Sequence, residues 1–234
     1  MDELTFVQEL EKNSITLTTN QVEQFKKYYE LLIYWNQKMN LTAITNKNDV
    51  YLKHFFDSLT FSFNIKLTNQ SLLDVGSGAG FPSIPLKIVY PDLKIYISDS
   101  LHKRMVFIEE VIKELDLKDI FIIVNRAEDE ARIRREKFDL VTARAVARLN
   151  ILSELCLPLV KLNGYFIPLK GIDGINELND AKNAIETLGG KVEKIQELDL
   201  PFTNDKRFNL FIKKVKKTPL IYPRHYSKIK KNPL

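Results

Sequence analysis

Cysteine is almost absent from this chain of 234 residues. Cys156 is the only one, so no disulfide can form within the chain, and its neighbours Leu155 and Leu157 are typical of a small buried side chain. No apolar run is long enough to span a bilayer, and the acidic segment from Met1 to Ser14 lacks the basic start and apolar stretch of a secretory signal. These features predict a cytoplasmic protein that does not enter a membrane.

Several catalytic signatures are also missing. The chain has three His and one Cys, and they do not form the spaced cluster of a metal site. It has neither a nucleophile-elbow motif nor a Walker loop, which argues against a serine hydrolase and a nucleoside triphosphatase. We therefore expect no metal and no acyl-enzyme chemistry.

The positive charge is concentrated at one end of the chain. The formal net charge is +5, but Lys206 to Leu234 holds ten Lys or Arg and no acidic residue, which leaves 25 basic against 30 acidic residues elsewhere. Such a segment suits a polyanion, and Tyr222 and Tyr226 could stack on bases. A solvated, partly disordered terminus and an anionic membrane surface are the alternatives.

Residues 1–69 predict a small helical region packed on the rest of the protein. Asn20 and Glu23 resemble a capping box, and Asn48 or Asp49 could begin a second helix. Apolar residues recur at helical spacing after the first cap: Val22, Phe25, Tyr29, Leu32, Trp35 and Met39. This aromatic stripe favours a core-packing role over a ligand site.

From Ser71 onward, short apolar runs alternate with helical segments, as in a parallel sheet with crossover helices. Strands are predicted at 71–75, 93–98, 120–124, 138–142, 164–169, 191–199 and 207–215, and helices at 82–90, 102–116, 148–161 and 174–188. The turn Pro201–Asp205 is too short for a crossover helix, so the last two strands should be antiparallel. The resulting α/β fold, over 70–217 with a basic tail at 218–234, resembles the seven-stranded Rossmann-like sheet of class I methyltransferases.

A glycine-rich loop, Asp74 to Gly80, follows the first strand and precedes the predicted helix at Pro82. Gly76 and Gly78 let the backbone turn sharply and approach a ligand closely. In this strand-loop-helix context, the loop favours ligand binding. The same pattern also occurs in nicotinamide and flavin enzymes and in tight structural turns.

Asp99 lies 21 residues beyond Gly78, at the predicted end of the second strand. A carboxylate there can accept hydrogen bonds from both ribose hydroxyls of an adenosyl ligand. The alternative is a cap for the helix beginning near Leu101, but Ser100 is the better cap and leaves Asp99 free.

Two further strand ends carry candidate ligand contacts. Ala127 and Glu128 follow the third strand and could reach an adenine edge, although a salt-bridge network among Glu128, Arg132 and Arg134 is as plausible. Arg144 ends the fourth strand, at the edge where open α/β sheets bind ligands, and could clamp a phosphate or a ligand carboxylate. Arg144 is also the one candidate catalytic residue.

Beyond these positions, the chain resembles the bacterial small-subunit rRNA guanine-N7 methyltransferase family, also called glucose-inhibited division protein B, nearly from end to end. The resemblance lies in these segments: Trp35-Asn36, Asn40-Leu41-Thr42, His54 to Leu59, Asp74 to Pro85, Asp99-Ser100-Leu101, Lys103-Arg104, Arg126-Ala127-Glu128, Thr142 to Ala145, Leu169-Lys170-Gly171, Tyr222-Pro223-Arg224 and Lys231 to Leu234. Ser83 and Ser98 depart from the usual family residues, which puts local packing in doubt.

The resemblance implies S-adenosylmethionine as methyl donor and 16S ribosomal RNA, or the small ribosomal subunit, as partner of a monomeric enzyme. By position, Gly76, Phe81, Ala127, Glu128 and Arg144 would contact the donor, with Asp99 on its ribose. The hypothetical RNA-facing cations are Lys103, Arg104, Arg148, Lys170, Lys213, Lys214 and Arg224. His54 and Asp57 share a helix face, either toward RNA or the donor or, as we favour, as a hydrogen-bonded structural pair.

Methylation at guanine N7 also fits the missing catalytic signatures. N7 has a lone pair and no proton, so no general base is needed, and catalysis would consist mainly of positioning. Three alternatives stay open at this point: a methyltransferase acting on a small molecule or protein, a non-catalytic RNA-binding assembly factor, and a nicotinamide-dependent oxidoreductase.

Overall fold

A computed structural model describes residues 1–234 as a seven-stranded sheet with helices on both faces. The strands are β1 (Ser71–Val75), β2 (Lys94–Ser98), β3 (Ile120–Ile123), β4 (Phe138–Arg144), β5 (Val160–Lys170), β6 (Gly190–Asp199) and β7 (Lys206–Lys214). The helices are α1 (Glu3–Lys12), α2 (Thr19–Asn36), α3 (Lys47–Val50), α4 (Asp57–Leu59), α5 (Ser83–Val89), α6 (His102–Glu114), α7 (Ala127–Ile133), α8 (Leu149–Cys156), α9 (Gly174–Asp180), α10 (Lys182–Thr187) and α11 (Tyr226–Lys231). A π-helical stretch, Tyr51–Phe56, joins α3 to α4.

The strand order is β3-β2-β1-β4-β5-β7-β6. The first five strands pair in parallel, and β7 runs antiparallel to both β5 and β6. All seven predicted strands and the antiparallel ending are confirmed. The parallel strands therefore bring the loops after β1, β2, β3 and β4 to one edge of the sheet.

Two hydrophobic cores cover the two faces of the sheet. Successive strand side chains point to opposite faces, so Leu72 joins one core and Leu73 the other. The Leu72 core contains the N-terminal aromatic residues, among them Phe25 and Phe55, and the Leu73 core contains residues from α7 to α11. The N-terminal helices are thus part of the core that supports the sheet.

The aromatic stripe of α2 has the predicted packing role. Phe25 meets Phe6 edge to face with ring centroids 5.0 Å apart, and Tyr28 stacks on Phe55 at 5.2 Å. The buried hydroxyl of Tyr28 donates to the carbonyl oxygen of Ala79, inside the glycine-rich loop. The N-terminal region therefore contacts the glycine-rich loop directly and helps to fix its position.

The caps of the N-terminal helices differ from the prediction. Helix α2 begins with a capping box formed by Thr18 and Gln21, and α3 is capped by Asn46, whose side chain accepts from two backbone amides. Both helices begin at least two residues earlier than predicted. Several Asn, Thr and Asp residues adjoin each start, and any of them could act as the cap. Helix α1, capped by Asp2, was not predicted.

Two predicted helices are shorter than expected. Helix α8 ends at Cys156, ahead of Pro158, and its continuation is a short 3-10 turn. The segment predicted as one helix at 174–188 is divided at Ala181 into α9 and α10. Pro82 precedes α5 as its cap residue instead of occupying its first turn.

The basic C-terminal segment folds back onto the protein. Ile229 of α11 is fully buried, and Tyr222, Tyr226 and Leu234 pack against the Leu73 core. The alternative of a solvated terminus is therefore wrong for this segment. None of the helices combines the length and apolar character required to cross a bilayer.

Candidate functional site

A cavity of about 820 Å³ opens at the carboxyl ends of β1 to β4. Four of the sequence-predicted ligand residues line it together: Gly76, Asp99, Ala127 and Glu128. This volume is typical of a cleft that holds a cofactor-sized ligand. We call it the donor cavity.

The glycine-rich loop leaves room for that cavity. Gly76 has a φ of +71°, and a Cβ atom built on it would lie 2.7 Å from Cγ2 of Val146, which lines the same cavity. A larger residue would be strained and would displace the wall. The Gly76 amide donates to the carbonyl oxygen of Ser98 over 2.7 Å, which joins the loop to the end of β2.

Asp74 supports the loop from the buried end of β1. One carboxylate oxygen accepts from the Ser83 hydroxyl at 2.8 Å and the Ser83 amide at 3.3 Å, while Oδ1 has no hydrogen-bond partner. Burial, which disfavours the charged carboxylate, raises the pKa of Asp74 to about 6, although the hydroxyls of Ser77 and Ser83 oppose this. The glycine-rich loop thus contains a buried carboxylic acid, Asp74, whose ionisation costs free energy.

Folding stability should therefore depend on the protonation of Asp74. Its pKa is raised from 3.8, so the protonated acid stabilises the fold below about pH 4 and this contribution is lost as the pH rises through about 6. We expect the unfolding free energy of wild type, relative to Asp74→Asn, to fall by roughly 2 kcal/mol between pH 4.5 and 7.5. Urea unfolding of both proteins across that range measures it, and a constant difference would contradict the assignment.

Asp99 lines the donor cavity and is buried, with only 5% of its surface exposed. Its Oδ1 accepts from the Leu101 amide at 2.9 Å, and its Oδ2 accepts from the Gly78 amide at 3.2 Å and from Arg104 at 3.1 Å. Contrary to the prediction, Ser100 does not cap α6, which has no side-chain cap, and Asp99 is not free, since it accepts from the Leu101 amide. Asp99 therefore joins the loops after β1 and β2 while lining the cavity.

The loop after β3 supplies another wall. Ala127 and Glu128 both line the donor cavity, and Glu128 is 5% exposed. The alternative salt-bridge network is wrong, because Arg132 pairs with Asp129 and Arg134 pairs with Glu130. Glu128 belongs to neither pair.

Arg144 lies beside a second cavity of about 510 Å³, not among the residues that line the donor cavity. Ala145 and Val146, which follow it, line both cavities. The second cavity also receives charged side chains from Asp57 and Arg207. We call it the cationic cavity.

The Arg144 guanidinium is held by the π-helical stretch. It donates to the carbonyl oxygen of Lys53 at 3.0 Å and contacts Asp57 at 3.4 Å, and its central carbon lies 5.1 Å from the centroid of the Phe81 ring. Phe81 likewise does not line the donor cavity. Burial lowers the pKa of Arg144, which Asp57 partly offsets.

His54 completes the surroundings of Arg144. Its Nδ1 lies 3.2 Å from the Arg144 guanidinium and 3.1 Å from the Lys53 carbonyl oxygen, and its Nε2 lies 2.8 Å from the Thr42 hydroxyl. Burial, reinforced by the positive charge of Arg144, lowers the pKa of His54 to about 3. The imidazole is therefore neutral at physiological pH.

The favoured pairing of His54 with Asp57 is wrong. The two side chains do not bond to each other, and both contact Arg144 instead. Asp57 also accepts from Nε of Arg207 at 3.1 Å. One anionic side chain thus holds two arginines at the cationic cavity.

The predicted RNA-facing cations fall into different environments. Lys103 is exposed, whereas Arg104 lies at the donor cavity against Asp99. Arg148 and Lys213 are surface residues paired with acidic side chains. Lys170 is 9% exposed and donates to Glu177 and to the Ala147 carbonyl oxygen, both at 2.7 Å.

Two of these cations serve the fold. Lys214 is fully buried and donates to the carbonyl oxygen of Leu157, so the prediction that it contacts RNA is wrong. Burial lowers the pKa of Lys214 to about 8. Arg224 donates to the buried carboxylate of Glu154 through Nε at 2.9 Å and through a terminal nitrogen at 2.6 Å.

Sequence reasoning missed two residues of the site. Arg207 belongs to an apolar strand and reaches Asp57 across the fold, and no local pattern indicates this contact. Tyr226 was noted as a base-stacking residue of the tail, yet it lines the donor cavity.

The strand order, the antiparallel ending and a glycine-lined cavity at the carboxyl edge define the class I methyltransferase fold. A solved structure agrees: a SAM-dependent methyltransferase from Aquifex aeolicus superposes with a TM-score of 0.54 at 18% sequence identity, covering 71% of this chain and 93% of that chain. At this identity the likeness concerns the fold alone.

Sequence comparison gives the family. A family model described as GidB, rRNA small subunit methyltransferase G, matches residues 21–208. The ribosomal RNA small subunit methyltransferase G of Staphylococcus carnosus is 50% identical over 232 residues, covering 97% of both chains, and that of a Geobacillus species is 50% identical over 237 residues, covering both chains fully. This chain belongs to the rRNA small subunit methyltransferase G family.

Proposed function

We propose that this enzyme transfers a methyl group from S-adenosylmethionine to N7 of a guanine in 16S ribosomal RNA. The observation that carries the proposal is the adjacency of the two cavities, one with the glycine-rich loop and Asp99, the other with a cationic wall. Ala145 and Val146 line both. A donor and an acceptor base could therefore meet across this short segment.

The residues of the donor cavity fit an adenosyl ligand. The Asp99 carboxylate can accept from ribose hydroxyls, Gly76 provides close backbone approach, and Leu101, Val124 and Ala127 supply apolar surface. When bound, S-adenosylmethionine would supply a methyl group already activated by its sulfonium. This fit supports the donor assignment.

The cationic cavity fits an RNA nucleotide. Arg144, Arg207 and Lys170 line it, so cations outnumber its carboxylates Asp57 and Glu177. Cationic side chains favour phosphate binding and fix the register of a nucleic acid, whereas groups around the base select it. Because guanine N7 carries no proton, this wall needs only to orient the base toward the donor cavity and exclude water.

Transfer can be tested directly. We expect label from [methyl-³H]S-adenosylmethionine to enter small subunits that lack the modification, with the methylated base mapped to a single guanine N7. The same incubation with deproteinised 16S RNA tells free RNA from the assembled particle as substrate. Binding of donor without transfer to either substrate would contradict the proposal and favour a non-catalytic assembly factor.

The proposal includes action as a monomer on cytoplasmic ribosomal subunits, with the basic C-terminal segment on the RNA. Helix α11 displays Lys228, Lys230 and Lys231 at its exposed surface. Phosphate contacts by such residues release counterions and make affinity strongly salt-dependent.

Neutralising these three lysines should therefore weaken RNA binding and reduce its salt dependence. We expect Lys228→Gln/Lys230→Gln/Lys231→Gln to lower the slope of log affinity against log salt by about 2 to 3 units. Filter binding between 50 and 200 mM salt measures the slope. A matched triple variant on α2 and α6, Lys26→Gln/Lys27→Gln/Lys113→Gln, serves as control, and equal slopes for all three proteins would remove α11 from the interface.

A further inference from the structure

The donor cavity has a single aromatic side chain among the residues that line it, and this ring comes from outside the sheet. Tyr226 is the first residue of α11, in the C-terminal segment. The remaining walls come from the carboxyl ends of β1 and β2, the loops after β1 to β4, the first turns of α6 and α7, and Leu155 of α8. The C-terminal segment therefore contributes directly to the cavity.

Two arginine contacts fix the path of this segment. Arg135 donates to the carbonyl oxygens of Tyr222 at 2.6 Å and Pro219 at 2.9 Å. The Glu154 carboxylate, fully buried, accepts from both the guanidinium and the backbone amide of Arg224, the latter at 2.8 Å. A buried carboxylate with several charge-assisted bonds restrains its partner strongly.

The helix that follows is also fixed by packing. Ile229 is fully buried in the Leu73 core, where Tyr226 packs at the edge. Helix α11 contacts α8, which supplies Leu155 to the cavity wall. The Tyr226 ring is therefore held at the cavity before any ligand binds, and ordering it costs little on binding.

The other walls indicate which part of the donor meets the ring. Asp99 is placed for the ribose, and the loop at Gly76 is close-packed against Val146. The apolar side chains Leu101 and Val124 line the cavity from the segments after β2 and β3. The lining therefore offers a purine several apolar side chains and one aromatic ring.

We propose that Tyr226 stacks on the adenine ring of the methyl donor, so that the C-terminal segment forms part of the donor site. This inference rests on the proposed function, since it requires an adenosyl donor in the cavity. Aromatic rings bind purines by offset stacking, which depends on the ring and not on the phenol hydroxyl.

The test compares ring-retaining and ring-deleting variants by calorimetry with S-adenosylhomocysteine and with adenosine. We expect Tyr226→Phe to bind both ligands as wild type does, and Tyr226→Leu and Tyr226→Ala to bind both about tenfold or more weakly. Tyr226→Leu keeps apolar bulk against the core, so it remains informative if Tyr226→Ala is poorly folded. Thermal unfolding of each variant confirms that the fold is intact.

Tyr222→Leu is the matched control. Tyr222 packs on the same core from the same segment but does not line the donor cavity, so its replacement should leave the affinity for S-adenosylhomocysteine unchanged. Unchanged binding by Tyr226→Leu would overturn the inference, as would a loss for S-adenosylhomocysteine without a loss for adenosine, which would place the ring at the amino-acid end. Failure of wild type to bind S-adenosylhomocysteine would instead overturn the proposed function.

Discussion

Replacing Asp99 by alanine is expected to weaken the binding of S-adenosylhomocysteine up to about 100-fold, because a hydrogen bond to a charged acceptor contributes about 1.5 to 3 kcal/mol. The amides of Gly78 and Leu101 and the Arg104 guanidinium occupy three of the roughly four acceptor sites of the carboxylate, which leaves one for a ribose hydroxyl. The carboxylate lines the donor cavity and is 5% exposed. Isothermal calorimetry of wild type and Asp99→Ala measures the change. An affinity within threefold of wild type would contradict the ribose assignment.

A second variant separates ligand recognition from loop structure. Asp99 also accepts from the amides of Gly78 and Leu101, so Asp99→Ala loosens the loops after β1 and β2. Asp99→Asn keeps the side-chain shape and one acceptor oxygen but removes the charge. We expect it to lose about tenfold in affinity and to lower the melting temperature less than Asp99→Ala does, because its one oxygen still accepts while its NH2 group loses the bond to a backbone amide. Equal losses of affinity in both variants would indicate that charge is the dominant contribution.

The strand pattern could be predicted because it depends on local sequence. Apolar runs bounded by Gly, Pro, Asn and Asp indicated all seven strands, and the short turn at Pro201–Asp205 required an antiparallel end. Helix starts were less certain, because neighbouring residues can each act as a cap, as at Thr18 and Asn20. Helix α1 was missed since its ten residues carry few core positions, with only Phe6 and Leu10 buried.

The site was predictable where it follows strand ends. Gly76 and Asp99 come directly after β1 and β2, Ala127 and Glu128 follow β3 at the start of α7, and the topology brings such positions together. Contacts between distant segments left no local signal: Asp57 and Arg207 are 150 residues apart in sequence. The positive charge of Lys214 suggested an RNA contact. The structure shows instead that Lys214 is buried in β7, where its ammonium donates to the Thr218 hydroxyl.

Arg144 is an intermediate case. Its residue type and its position at a strand end correctly indicated a place near the site, but the sequence did not predict which groups it contacts. A guanidinium at the end of β4 suggested a clamp on a phosphate or on the donor carboxylate. In the structure it lies against His54, Asp57 and the Lys53 carbonyl oxygen, beside the cationic cavity. Arg144 can therefore act on the acceptor side. It also fixes the segment that continues into the shared wall of Ala145 and Val146.

Replacing Arg144 by methionine should reduce methyl transfer to small subunits by about 100-fold or more, the usual effect of removing one preorganised charged donor. Methionine keeps contact with the Phe81 ring, and Asp57 keeps its pairing with Arg207, but the Lys53 carbonyl oxygen loses a charged donor, which should also cost about 1.5 kcal/mol of stability. Steady-state rates at saturating donor, with the affinity for S-adenosylhomocysteine measured in parallel, locate the defect.

An acceptor-orienting role and a donor-clamping role for Arg144 predict different changes in donor affinity. If Arg144 orients the acceptor, Arg144→Met lowers kcat or raises KM for the subunit and changes donor affinity less than threefold, because its side chain does not line the donor cavity. If it clamps the donor carboxylate, donor affinity falls with the rate. Arg144→Lys keeps the charge without the planar fork and should recover stability more than activity, since one ammonium cannot reproduce the separate contacts to His54, Asp57 and the Lys53 carbonyl oxygen. Unaltered transfer by Arg144→Met would reject any role for this residue in the reaction.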